Sequence, residues 1–475
     1  MSEEIRFGTD GWRAQIGFGF TEDSLRRLMS AVGRRMNDIS SRRARVVVGH
    51  DTRFQAREFA RIATEALLAE KCHVTLSRGV SPTPALCIAT RELDGDVGVM
   101  LTASHNPYSY LGVKLRASNG NPMGQTLVEE IVAEIPTEYP SSDTTRLLPH
   151  ETDDFIAHYQ DALEKWIDLE SLKESPLRVL IDYMHGAQIG VPQKMGLGEG
   201  RLAITGIRDF EEPGFGGGSP EPIPRNLEGL SEGVLRAGKT VGLAFDGDGD
   251  RLAVCDERGD LLWPQEVFGI IADEVLLNPP EGVEKGGIAK SLPTSDWLAR
   301  VAEAHDVPLI ETPVGFKHLS QFLLSGESIV AGEESGGIGM GFHLPERDGL
   351  LGALFLLRML ARERKPLFAL RKTFRKKYGD FFYERRDQKV EPEVAQRLRA
   401  DTPAFAKALT KALGVKEDAA NTLDGVKVRV KGGWVMVRAS GTEPLLRIYS
   451  ESEGGAKAVD ALIATAAQAA ESLKG

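Results

Sequence analysis

Hydrophobic spacing along the first 150 residues alternates between a helical and an extended period. After Thr21, a residue type able to cap a helix, Leu25, Leu28, Met29, Val32 and Met36 recur at helical intervals. Residues 45–49 (RVVVG) are mostly apolar, as expected of a strand buried on both faces. A helix is predicted over 55–70, then strands over 73–76 and 96–101, the second running into the loop TASHNP at 102–107. Strands separated by helices of this length predict a parallel, doubly wound sheet.

The alternation repeats. A polar, proline-containing stretch at 137–154 reads as a linker, and a second α/β unit starts near Leu177 with RVLID. It passes a Gly/Pro-rich loop at 213–224 and reaches the strand VGLAF at 241–245. A third unit spans about 260–375. Beyond the basic stretch 371–377, strands at 426–430, 434–438 and 445–449 follow one another directly, and an Ala-rich helix closes the chain. Consecutive strands followed by a helix suggest α+β rather than α/β. With 475 residues, too many for one core, the chain is expected to hold three similar doubly wound α/β domains (1–150, 151–258, 259–375) and a C-terminal α+β domain (376–475).

Charge and composition narrow the functional class. Against 58 basic residues stand 69 acidic ones, a net charge of −11, which excludes a generally basic nucleic-acid binder but leaves room for a local anion pocket. The N-terminal MSEEIRFGTDGWRA has no apolar signal core. The most apolar run, LLGALFLLRML at 350–360, carries Arg358 and is too short for a bilayer, so a buried helix is expected, and no membrane partner. Cys72, Cys87 and Cys255 lack CxxC spacing and read as reduced, buried thiols. The expectation is a cytoplasmic protein, monomeric or homodimeric.

Four loops could carry phosphoryl chemistry. In TASHNP, Ser104 stands at the C-terminal end of an apolar strand, where open α/β sheets place ligands. His105 and Lys114 are candidate cations to stabilise a phosphoserine there; the bland alternative is a turn that merely ends the strand. In DGDGDR (246–251), alternating glycine lets three carboxylates crowd together, which without a cation would repel one another. A hard, all-oxygen set of this kind suits Mg²⁺. An EF-hand shares the Asp spacing and even has Glu257 at the twelfth position, but Arg251 stands where its turn glycine belongs. A haloacid-dehalogenase-like phosphatase usually has Thr or Val where Asp250 sits, and a solvated acidic turn is the remaining reading. The third loop, GEESGG (332–337), offers carboxylates and a hydroxyl to sugar hydroxyls. The fourth, RASGTEP (438–444) with Arg447 beyond, has the makings of an oxyanion cradle. Each of these could also be an ordinary polar turn.

In this order and spacing, the four loops resemble the α-D-phosphohexomutase superfamily, and the resemblance runs from FGTDGWR (7–13) to Arg447. It implies three similar α/β domains and a fourth α+β domain round a central cleft. It also implies roles: Ser104 as the phosphorylated serine and a contact of the metal; His105, Lys114, Arg13 and Arg251 beside it, with Lys114 an acid/base; and Asp246, Asp248 and Asp250 on Mg²⁺. Glu333 and Ser335 would recognise sugar hydroxyls, and Arg438, Ser440, Gly441, Thr442 and Arg447 would grip the phosphate not being transferred. The implied ligands are hexose phosphates, with glucose 1,6-bisphosphate as activator and intermediate.

Substrate signals point to the glucose-type branch. Gly337 stands where mannose-acting or dual members often carry His, and TPVGFK (312–317) resembles that branch's TPTGWK with Phe316 for Trp. By the same alignment Lys317, His343 and Arg347 line the sugar or phosphate site. Leu111 departs from the family's usual Asn, and Glu334 stands where phosphoglucosamine mutases usually have Gln. A phosphoglucomutase is therefore expected ahead of a phosphomannomutase or dual-specific enzyme. Behind these come a phosphoglucosamine mutase, a phosphatase using the same serine, and a silent sugar-phosphate-binding regulator.

Overall fold

The computed structural model describes residues 5–139, 150–440 and 444–471. The chain divides into two compact units, one formed by Met1–Gly287 with Gly315–Phe368, the other by Ile288–Val314 with Ala369–Gly475.

In the first unit, Thr21 caps the helix Glu22–Ile39 as its side chain accepts from the Ser24 N–H, while Ser24 answers to the Thr21 N–H. Leu25, Leu28, Met29, Val32 and Met36 on that helix are buried against a seven-stranded sheet. Its centre is parallel: Arg45–His50 lies between His73–Ser77 and Val97–Leu101. The flank is not, because Tyr110–Ala117 returns antiparallel on Val97–Leu101 and Gly11–Gln15 pairs antiparallel with it in turn. Wholly parallel winding was the expectation; a short polar loop after the strand permits a hairpin, which needs no crossover helix. The expected linker is also partly structured, since Glu151–Asp153 adds to the sheet beside His73–Ser77. Residues 140–149 lie outside the described residues.

The same device recurs. In the second sheet Val241–Phe245 is parallel to Arg178–Asp182 but returns antiparallel as Leu252–Cys255. Farther along, Ser328–Gly332 returns antiparallel as Ile338–Met340, which pairs with Leu344–Arg347. The serine loop, the acidic loop and the GEESGG loop are therefore each the turn of a hairpin opening from an apolar strand. The helix Gly349–Glu363 holds the apolar run 350–360, almost wholly buried apart from Arg358.

The second unit contains the parallel pair Gly287–Ser291 and Leu309–Thr312. It also contains an antiparallel sheet in the order Phe382–Lys389, Leu445–Ser452, Gly433–Ala439, Val426–Val430, Ala420–Asn421, backed by the helix Gly455–Glu471. Two helices, Pro392–Ala400 and Thr402–Leu413, precede the central strands. No helix among the described residues is long and apolar enough to cross a membrane. All three cysteines are buried and unbridged.

Candidate active site

The hairpin turns of the first unit bring Ser104 to the acidic loop: its hydroxyl donates to Asp246 Oδ2 at 3.0 Å across 142 residues of chain. One oxygen from each of Asp246, Asp248 and Asp250 lies within 4.8 Å of the others, and all three side chains are buried. Such a cluster is stable only with neighbouring positive charge. Lys114 supplies part of it, its Nζ 2.7 Å from Asp248 Oδ2, 2.7 Å from Asp250 Oδ2 and 3.0 Å from Asp10 Oδ2. Burial works to lower the Lys114 pKa, but the carboxylates of Asp10, Asp248 and Asp250 outweigh it and hold the ammonium charged. Burial and the neighbouring Asp250 and Asp248 push Asp246 up; on Asp248 the effect of burial is overcome by Lys114 and by the Thr83 hydroxyl, and its pKa falls.

The donor set fits Mg²⁺. Oδ1 of Asp248 and Oδ1 of Asp250 are buried and accept no hydrogen bond, and the three candidate ligand atoms are hard carboxylate oxygens. Gly249, at φ 73°, makes the turn that folds the three side chains inward.

Around this centre the site differs from the sequence expectation. Arg347 reaches it directly, with Nη2 2.9 Å from Asp250 Oδ2, an ion pair to Asp10 and Nη1 3.9 Å from Glu333 Oε2. Glu333 accepts from the Gly315 N–H at 2.9 Å, and burial pushes its carboxyl up to about 7. The GEESGG loop also meets the acidic loop through an Arg251–Gly337 bridge. Arg251 donates its backbone N–H to Asp246 Oδ1 at 3.1 Å. Arg13 donates to Asn106 Oδ1 at 2.8 Å.

His105 lies 3.4 Å from the Ser104 hydroxyl. Burial, with Arg251 and Arg13 nearby, drives its pKa well down, which favours the neutral ring where a cation was expected. Lys317 donates to Gln125 at 3.0 Å, and Ser335 is half-buried on its loop. His343 is not drawn into this centre. It is buried, and its Nε2 lies 3.1 Å from Asp348, which caps the helix Gly349–Glu363 and accepts from the Tyr159 hydroxyl. Its surroundings are those of a structural histidine.

In the second unit the strand register sets Arg438 directly opposite Arg447, so both side chains share one face of the sheet. Arg438 pairs with Asp424 at 2.9 Å, and the Ser440 N–H donates to Leu445 O at 2.8 Å. Gly441 and Thr442 lie outside the described residues.

Four successive family descriptions match this chain. They are the phosphoglucomutase/phosphomannomutase alpha/beta/alpha domains I, II and III, over residues 4–141, 157–259 and 263–378, and the C-terminal domain, over 393–469. The chain belongs to the phosphoglucomutase/phosphomannomutase family. Family membership makes it an α-D-phosphohexomutase, an isomerase of three α/β/α domains and a C-terminal domain. Similar proteins include a phosphoglucomutase/phosphomannomutase of Thermococcus kodakarensis, 29% identical over 99% of both chains. A phosphoglucosamine mutase of Chromohalobacter salexigens is 30% identical over 94% of each. A crystal structure from Thermus thermophilus, of a protein provisionally described as a phosphomannomutase, superposes with a TM-score of 0.83 at 34% identity, covering 99% of this chain and 100% of that one.

Sequence reasoning missed Asp10, Thr83, Asp51, Arg53 and Thr102. Asp10 and Thr102 belong to motifs that were singled out, FGTDGWR and TASHNP, and the signal was the acidic or hydroxyl residue inside each. Thr83 donates to Asp248 Oδ2 at 2.5 Å from 165 residues away, and nothing local marks it.

Proposed function

We propose that this phosphohexomutase carries its phosphoryl group on Ser104 and interconverts glucose 1-phosphate and glucose 6-phosphate through glucose 1,6-bisphosphate, with Mg²⁺ held by Asp246, Asp248 and Asp250. The observation that carries the reading is the Ser104 hydroxyl 3.0 Å from Asp246, inside a buried acidic trio with two unpartnered oxygens. When bound, Mg²⁺ would neutralise charge on the phosphoryl oxygens.

The rest falls to the protein's own groups. In the forward half-reaction the Ser104 Oγ–P bond breaks as a bond forms from phosphorus to the free sugar hydroxyl oxygen, and that hydroxyl's proton replaces the one Lys114 gives to the leaving Ser104 oxygen. The reversed bisphosphosugar then returns its other phosphate to Ser104. Lys114, kept cationic by its carboxylates, stabilises the charge on the equatorial oxygens and can protonate the leaving Ser104 oxygen; Arg251 and Arg13 add positive charge beside it. Glu333 orients sugar hydroxyls together with Ser335, and Arg347 and Lys317 line that part of the site. Arg438, Ser440, Gly441, Thr442 and Arg447 are proposed to hold the non-transferred phosphate. The working domains are proposed as 1–150, 151–258, 259–375 and 376–475, in a cytoplasmic protein.

Glucose is favoured over mannose by Gly337 and by TPVGFK at 312–317. Relatives named for glucose, mannose and glucosamine phosphates make the decisive assay a competition. With Mg²⁺ and catalytic glucose 1,6-bisphosphate, glucose 1-phosphate should turn over faster than mannose or glucosamine 1-phosphate. Ser104→Ala should lose turnover by orders of magnitude in a folded protein. Wild-type rates in that variant would refute the assignment of the phosphoryl carrier.

A further inference from the structure

Ser104 is one of the few non-glycine residues in the left-handed region, at φ 51°. A backbone of that kind costs of order 1–3 kcal/mol and persists only where surrounding structure imposes it. Two residues outside every motif read from the sequence, Asp51 and Arg53, supply that imposition. Resting on the reading of Ser104 as phosphoryl carrier, we infer that Arg53, anchored by Asp51, is a positioning residue that sets the serine's backbone so that its hydroxyl faces the acidic trio.

The contacts close a circuit round one peptide. Arg53 donates from Nη2 to the carbonyls of Ser104 (2.5 Å) and Asn106 (2.8 Å), and from Nη1 to those of Pro107 (3.0 Å) and Tyr110 (3.1 Å). Four loop carbonyls converging on one planar fork is an arrangement only a guanidinium can satisfy, since an ammonium has three donors and no fixed plane. Asp51 faces the guanidinium as an ion pair, its Oδ2 3.3 Å from Arg53 Nε without a hydrogen bond between them, and its Oδ1 accepts the Arg53 backbone N–H at 2.9 Å. The same Asp51 Oδ2 accepts from the Thr102 hydroxyl at 2.6 Å, and the Thr102 oxygen accepts the Ser104 N–H at 2.8 Å. Both polar groups of the Ser104 backbone are thus gripped, the N–H through Thr102 and the carbonyl through Arg53, and both grips end on Asp51. The Arg53 and Asp51 side chains have no exposed surface, and the Phe215 ring lies 4.9 Å from the guanidinium. Burial makes each of these bonds costly to leave unmade.

The test uses Arg53→Lys, with Thr102→Val as a near-isosteric second variant should the first fail to fold, and Ser104→Ala in parallel. Three quantities are read on the full chain: kcat and KM for glucose 1-phosphate, the rate of phosphate uptake onto the protein from glucose 1,6-bisphosphate by intact mass, and the thermal midpoint. The inference expects kcat and the uptake rate to fall about 100-fold in Arg53→Lys and about 10-fold in Thr102→Val, with KM within roughly threefold of wild type, because misplacing a reacting atom by about 1 Å is worth that much. It is overturned if folded variants take up phosphate at the wild-type rate while only their thermal midpoint drops. It is also overturned, along with the phosphoserine reading, if Ser104→Ala still turns over. An inactive Ser104→Ala beside fully active Arg53→Lys and Thr102→Val would reject the positioning role alone.

Discussion

Gly247 offers a direct test of how closely the acidic loop and the serine loop are packed. A Cβ built at this glycine would stand 2.5 Å from the Ser104 carbonyl oxygen and 2.8 Å from Pro220 Cγ. Ordinary contact begins at 3.4 Å, so the oxygen would have to retreat by 3.4 − 2.5, or 0.9 Å. The glycine itself has nowhere to go, because its N–H donates to Pro220 O at 3.2 Å and its carbonyl accepts from the Ala187 N–H at 2.9 Å. The serine loop must therefore give. With Ser104 as the proposed phosphoryl carrier, a displacement near 1 Å there predicts a loss in kcat of about 100-fold, equivalent to about 2.7 kcal/mol of barrier. The overpacking itself should cost only about 1–3 kcal/mol of stability, so Gly247→Ala is expected to fold. Gly229→Ala is the control: its Cβ would meet nothing within 4 Å on the exposed first turn of the helix Glu228–Ala237, so activity should be unchanged and stability raised by roughly 0.4–1 kcal/mol. The assay is steady-state mutase turnover beside thermal denaturation. A folded Gly247→Ala protein with kcat within threefold of wild type would refute the claim that these loops are in contact at a Ser104 that carries the phosphoryl group.

Other outcomes follow from the same contacts. Asp10 is shared by Lys114, Arg116 and Arg347, each of which keeps another carboxylate, so Asp10→Asn weakens rather than strands these buried cations and should lower unfolding free energy by about 1–3 kcal/mol in guanidinium titration; an unchanged value would show that the cluster does not depend on it. Thr83 braces Asp248, and Thr83→Val should weaken Mg²⁺ binding roughly 10–100-fold by calorimetry, with unchanged affinity counting against the ion site. In the second unit, burial and the adjacent Lys290 bring Lys427 down to about 7, despite Glu311 and Asp296, with Arg429 also close. Between that value and lysine's ordinary one the unfolded chain holds the extra proton, so this group makes stability climb as pH rises from about 7. Lys427→Met should flatten that climb in thermal melts taken across about pH 7–10, and an unaltered slope would contradict it.

What the sequence determined by itself was local. Thr21 and the apolar spacing behind it specified a capped helix, RVVVG a buried strand, and DGDGDR a crowd of carboxylates demanding a counter-charge, because each depends on residues within a few positions of one another. The order of the four loops was enough to assign the superfamily. Only the tertiary structure decided which charges answer which. Arg347 on Asp250, Thr83 on Asp248, Arg53 on the Ser104 carbonyl and Asp10 among three cations are contacts made across long stretches of chain, round sheets whose hairpin returns periodicity did not distinguish from parallel winding. His343 shows the converse: its motif pointed to a ligand, and its neighbours Asp348 and Tyr159 hold it in the core. Side-chain period reports which face of an element is buried, whereas the partner waiting on that face is set by how the sheets are stacked and turned.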